Sequence, residues 1–157
     1  MNKPKADFLI DNAAELITCV STANDPLGRI PNGAVAVADG RILATGSRAD
    51  LEERVDLTGA EVLEAQGKIV APGFVDCHTH LIFGKSRVKE YALKMTLSVA
   101  EIEAMGLKTG IPASIAMTRE SKEEELFVSA LDRLERMLRY GTTTVESKSG
   151  YGISWPD

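Results

Sequence analysis

His78 and His80 are the only histidines in this 157-residue chain, and one residue separates them. Imidazole is the side chain best suited to hold a transition metal or to carry a proton near neutral pH. Residues 73–78 are apolar and β-prone after a Pro-Gly entry, which predicts a short buried strand. Side chains alternate faces along a strand, so His78, His80 and Asp76 are expected on one face. Two imidazoles on one face can share a metal ion at about 2.0–2.1 Å, the Zn–N distance. A strand holds such ligands in place beforehand, whereas a loose loop would have to order them at an entropic cost. A lone histidine pair also serves as ordinary surface filler. Here, however, it directly follows an apolar run, where a parallel barrel strand would reach its C-terminal end and where barrel enzymes place their chemistry.

The elements needed to position that pair follow from the pattern on either side. After His80 comes Leu81-Ile82-Phe83-Gly84-Lys85-Ser86-Arg87, a loop whose glycine and charges suit the mouth of a site. Ser98-Val99-Ala100-Glu101 reads as a capping box opening a short helix that fades at Gly106, and residues 106–112 read as loop. A second box at residues 121–124 opens the strongest helix, with Phe127, Ala130, Leu131, Leu134, Met137 and Leu138 on one face. That stripe is expected to be packing. Asp132 with Arg136 and Glu135 with Arg139 are expected as exposed pairs four residues apart. Gly141 ends the helix, and residues 142–146 form a β-branched strand running into Ser147-Lys148-Ser149-Gly150-Tyr151-Gly152. That last loop is either a plain turn with a packing tyrosine or a second wall of the site. Strand, loop, helix, strand, loop is the rhythm of a parallel α/β fold.

Before Pro72 the pattern is short strands and turns. Residues 8–10, 16–20 and 61–64 are strand-like. Residues 34–38 and 41–44 flank Asp39-Gly40, which supplies the positive φ angles of a type I′ hairpin turn. Residues 46–53 read as a short capped helix or turn. Nothing in this part looks catalytic. The expected organisation is therefore residues 1–70 as a small β module and residues 71–157 as the first βα units of a barrel.

The whole-chain balance excludes several functions. Lys and Arg number 18 against 23 Asp and Glu, a net charge of −5. No basic stripe suggests nucleic acid, and no apolar run suggests a membrane span. The N-terminus lacks the apolar core of a signal peptide. Cys19 and Cys77 lie in apolar runs and are expected as buried free thiols, which fits a cytoplasmic protein.

At Pro72-Gly73-Phe74-Val75-Asp76-Cys77-His78-Thr79-His80 the chain strongly resembles the metal-dependent amidohydrolase superfamily. Three further segments resemble the imidazolonepropionase family within it: residues 78–84 with Arg87, residues 117–120, and residues 141–152. The resemblance spans essentially residues 6–153. It departs at Lys85-Ser86, where a Gly-Asn type pair is usual, and at Ser147, where an aliphatic residue is usual. These departures keep related aminohydrolases in play.

The resemblance implies a (β/α)₈ TIM-like barrel, here incomplete, preceded by part of a β-sandwich. It implies His78 and His80 as ligands for zinc or iron, and Arg87 and Tyr151 as substrate contacts. A guanidinium fork suits a propionate tail. Arg119 is a second candidate anion contact, or else a structural ion pair. The implied partner is a small-molecule substrate, with no nucleic acid or membrane and with a possible homodimer. The implied reaction opens 4-imidazolone-5-propanoate to N-formimidoyl-L-glutamate. A complete barrel takes about 250 residues, and fewer than half that number follow Pro72. The family's further ligands, a histidine and an aspartate on later strands, have no counterpart, and residues 154–157 do not continue its pattern. The expectation is an N-terminal portion, inactive alone. The alternatives are another cyclic amidase or deaminase of the superfamily, or a non-catalytic truncated piece.

Overall fold

A computed structural model describes residues 3–152, and the chain divides after Pro72 into two compact units. The first unit is built from β1 (Phe8–Asp11), β2 (Glu15–Ile17), β3 (Arg29–Pro31), β4 (Gly33–Ala38), β5 (Arg41–Ser47), α1 (Arg48–Arg54), β6 (Glu61–Glu64) and β7 (Ile69–Val70). These strands form a four-stranded sheet in the order β5-β4-β1-β6 and a three-stranded sheet in the order β3-β2-β7. The β4–β5 hairpin turns at Asp39 and Gly40 with φ of 51° and 70°, the left-handed pair that a type I′ turn requires. α1 starts in a full capping box. Ser47 Oγ accepts the Asp50 N–H, and the Asp50 carboxylate accepts the Ser47 N–H at 3.0 Å. Leu9 and Leu51 are fully buried among Ala6, Ala34, Ala36, Ala44 and Val55, where small β-sheet residues leave room for the two leucines.

The strand expected over residues 16–20 stops at Ile17. Cys19 takes a left-handed φ of 57°, which breaks the pleat, and lies exposed. Cys77 is exposed too, so the expectation of buried thiols is corrected for both. An apolar neighbourhood in sequence does not by itself supply a covering layer.

The second unit holds β8 (Phe74–Thr79), α2 (Val88–Lys94), α3 (Val99–Ala104), α4 (Gly110–Glu120), α5 (Glu123–Arg139) and β9 (Thr142–Ser147). β8 and β9 pair in parallel, as the strand–helix–strand rhythm requires. β8 is nonetheless not a buried strand. Phe74 and Val75 are 65% and 68% exposed, because a two-stranded sheet leaves much of each strand uncovered. Gly73 backs directly onto the Thr143 side chain, an approach that any Cβ would block.

Residues 106–112 are not all loop: α4 begins at Gly110 and takes Pro112 into its first turn, where a missing N–H costs nothing. The second capping box is displaced by one residue. Ser121 caps the end of α4, its hydroxyl donating to the Met117 carbonyl at 2.8 Å. α5 therefore starts from Lys122, whose N–H reaches the Glu125 carboxylate at 3.0 Å. The apolar stripe of α5 is a further correction. Phe127 is 67% exposed and Leu138 61%, and no α5 residue is buried. Glu135 and Arg139 do pair, at 3.7 Å on the surface. Residues 154–157, where the family pattern is not continued, lie outside the described residues.

Candidate active site

The carboxyl ends of β8 and β9 are laced together, and this lacing positions the candidate residues. Thr79 Oγ1 donates to the Glu146 carbonyl at 2.8 Å, and the Lys148 N–H donates to the Thr79 carbonyl at 2.9 Å. The Leu81 N–H donates to Ser147 Oγ at 3.3 Å. Ser147 is one of the residues that departs from the resembling family, and its hydroxyl joins the two loops where an aliphatic side chain could not.

His78 sits within β8 and His80 just beyond it, with ring centres 5.8 Å apart and planes at 72°. Two imidazoles that share a zinc ion at about 2.0–2.1 Å bring their ring centres to within roughly 6 Å, so the pair fits as part of a donor set. Asp76 does not complete that set. β8 carries one more residue than β9 between the pairs Asp76–Val145 and Thr79–Ser147, and this bulge interrupts the simple alternation of faces. The Asp76 carboxylate instead accepts the His78 backbone N–H at 3.2 Å. Among the described residues no group of three or more His, Cys, Asp or Glu could hold a metal ion.

Tyr151 lies beside this pair. Its ring centre is 5.2 Å from that of His80, tilted by 30°, and 6.4 Å from Phe83, edge-on. Gly150 makes the approach possible, since a Cβ there would come within 3.1 Å of His80 Nδ1. Tyr151, Phe83 and Arg87 line one cavity of about 340 Å³, together with Lys85, Ser86 and Tyr91. The structure thus sets His78, His80 and Tyr151 side by side and places Tyr151 and Arg87 on the wall of one cavity. Arg119 lines a larger adjoining hollow of about 810 Å³ that shares Tyr151.

Two residues that sequence reasoning passed over hold this surface in shape. Arg133 of α5 donates to the carbonyls of Leu81 at 2.6 Å and Phe83 at 3.3 Å, and its guanidinium carbon lies 3.5 Å from the Phe83 ring centre. Burial lowers the Arg133 pKa from its ordinary value, and the nearby Asp132 charge partly opposes that shift. A single arginine therefore fixes the loop that follows His80. Glu90 of α2 binds Lys94 at 2.6 Å, the Gly110 N–H at 2.9 Å and Arg87 at 3.2 Å. The Lys94 ammonium, the Gly110 N–H and Arg87 hold its carboxyl down at about 2. In sequence Arg133 lies among the charges of the long helix, and Glu90 lies between the loop after His80 and the capping box at Ser98. The signal available was position alone: Glu90 stands three residues before a helix-spaced Leu93 and three after Arg87.

In fold the chain is similar to E. coli guanine deaminase, with a TM-score of 0.61 at 18% identity, covering 89% of this chain and 29% of that one. It is likewise similar to an uncharacterized metal-dependent hydrolase from Pyrococcus horikoshii OT3, with a TM-score of 0.53 at 17% identity, covering 92% and 43%. The class these likenesses define is a mixed α/β fold.

Within that class, the sequence is imidazolonepropionase-like along essentially its whole length. The chain is 38% identical to the imidazolonepropionase of Geobacillus sp. (strain WCH70) over 94% of its residues. It is 38% identical to that of Clostridium tetani over 96%, and 42% identical to that of Sphingopyxis alaskensis over 86%. A bacterial imidazolonepropionase-like composite domain matches residues 33–54, which cover β4, β5 and α1. The chain spans about 37% of the length of the first two of these curated relatives.

Proposed function

We propose that this chain supplies the metal-holding first portion of a hydrolase that opens a cyclic amide C–N bond, with 4-imidazolone-5-propanoate as substrate and N-formimidoyl-L-glutamate as product. The observation that carries the reading is the grouping of His78, His80 and Tyr151 at the carboxyl ends of two parallel strands, where barrel enzymes place their active sites, with Arg87 on the cavity that Tyr151 also lines. His78 and His80 would hold part of the coordination sphere of zinc or iron. That ion, when bound, supplies Lewis acidity toward water and the ring carbonyl. Arg87 binds the propionate through its guanidinium edge, and the Tyr151 ring orients the imidazolone beside His80. Phe83 walls the cavity and keeps water from the ring's apolar face.

A catalytic zinc takes three protein ligands, and two stand together here. Turnover therefore requires at least one further ligand beyond this pair. The exposed faces of β8 and α5 support the same view: Phe74, Val75 and Phe127 would pack against additional βα units of a (β/α)₈ barrel. The first unit would form its share of a β-sandwich. The expected setting is a cytoplasmic enzyme acting on a small molecule, with homodimerisation of the full-length form possible. Among the described residues, no helix is long and apolar enough to cross a membrane.

The test has two parts. The 157-residue chain should bind zinc or iron weakly, and His78→Ala and His80→Ala should each abolish that binding in metal titrations. Retained binding in both variants would overturn the ligand assignment. A form that carries the remaining ligands should open imidazolone propionate and leave guanine untouched. The reverse preference would favour the deaminase reading, which the fold similarity to guanine deaminase keeps in view.

A further inference from the structure

Arg87 does not stand alone at its cavity. One of its terminal nitrogens, Nη1, contacts both carboxylate oxygens of Glu90 at 3.2 Å. Glu90 is itself held from two other directions, by Lys94 Nζ on the next turn of α2 and by the Gly110 N–H at the start of α4. Its side chain is only 10% exposed. A carboxylate with three cationic or N–H partners stays charged at any ordinary pH and cannot swing away without leaving donors unpaired. The contact uses Nη1 and leaves Nε and Nη2 without a partner among the described residues. Those two nitrogens form the side-on fork that matches a carboxylate with two parallel hydrogen bonds.

From this geometry we infer that Glu90 is a positioning residue: it fixes the Arg87 side chain through Nη1 so that the Nε–Nη2 edge is presented to a carboxylate-bearing ligand in the cavity. The inference rests on the reading of Arg87 as the substrate's carboxylate contact and deepens it. Long arginine side chains lose considerable rotamer freedom on binding, and a residue that removes that freedom beforehand leaves less to be lost with the ligand. Glu90 also offsets the Arg87 charge, so the site recognises a carboxylate by the shape of the fork rather than by uncompensated charge. The Gly110 bond connects this arrangement to α4, which contributes Ser114 to the same cavity.

The probes are imidazole propionate and its neutral carboxamide, titrated into the 157-residue chain and followed by NMR, with the Arg87 Nε–H resonance as the second readout. The wild-type chain should prefer the propionate, and its Nε–H should show restricted motion in nitrogen relaxation. Glu90→Gln should cut the preference by about tenfold, the size expected for losing a hydrogen bond to a charged group, and its Nε–H should merge with the mobile arginines. Glu90→Asp should recover part of both. Equal weakening of the two probes in Glu90→Gln would show a merely structural residue and overturn the inference, as would an unchanged preference. If the wild type shows no preference for the propionate, the carboxylate role of Arg87 fails. Glu90 is then judged by the Nε–H signal alone: its persistence in Glu90→Gln overturns the positioning role, and its loss upholds it. Circular dichroism shows whether Glu90→Gln folds. If it does not, Glu90→Asp carries the test, with a changed preference supporting the inference and an unchanged one overturning it.

Discussion

The two units of this chain bury their apolar residues to very different degrees. In the first, Leu9 and Leu51 are sealed by alanines and Val55 on short strands that pair with one another and with α1. In the second, Ile102 and Ala113 are the buried apolar residues, while Phe74, Val75, Phe127 and Leu138 lie open. Both units have well-formed elements with sound caps and turns. The difference teaches that a periodic apolar pattern fixes which residues seek cover but not what covers them. Antiparallel hairpins close on themselves within a few residues. A parallel β–α–β unit leaves strand edges and sheet faces that only further units can satisfy.

Substitutions should separate the two behaviours, and the largest effect belongs to the first unit. Leu51→Ala removes a fully buried side chain and should cost about 2–5 kcal/mol of stability, measured by chemical denaturation. A cost below about 1 kcal/mol would mean that the core is looser than its packing suggests. Next comes acid. Glu90 is depressed from its ordinary 4.5 to about 2, so its stabilisation is fully present above pH 4.5 and is lost as pH falls through about 2. The loss is on the order of 3 kcal/mol at most and is confined to the second unit. Hydrogen exchange at α2 and at the start of α4 should rise over that window, and unchanged exchange there would contradict the assignment.

A smaller effect is expected at the helix cap of the first unit. Ser47→Ala should cost about 1 kcal/mol in thermal melts, because the Asp50 N–H loses its acceptor. The smallest belongs to the open face of α5. Phe127→Ala should change the stability of this chain by no more than about 0.5 kcal/mol, as for surface substitutions generally. A loss as large as that of Leu51→Ala would show that α5 is covered in solution and would erase the contrast between the units.

Much of this was legible from local chemistry. Asp39-Gly40 specified its hairpin turn, Ser98 with Glu101 specified the start of α3, and the alternation of strand and helix specified a parallel pair. The His-x-His spacing put His78 and His80 forward as candidates, while Arg87 and Tyr151 were put forward by the family resemblance. Other features escaped because a local pattern does not choose between competing partners. Ser121 looked like the cap of α5 until Met117 claimed its hydroxyl. Asp76 looked like a third face-mate of the histidines until a bulge against β9 broke the alternation.

The sequence by itself determined many of the elements, the Asp39-Gly40 turn and the Ser98–Glu101 cap among them, and put His78 and His80 forward as metal-binding candidates, because turns, caps and strand periodicity are short-range and obey local sterics and hydrogen bonding. Only the tertiary structure decided how those residues meet. It laced the ends of β8 and β9, set Tyr151 against His80, and held the loop after His80 with Arg133. Those contacts join residues up to 71 positions apart (His80 with Tyr151), and at such separations no local pattern records which side chain will be the neighbour.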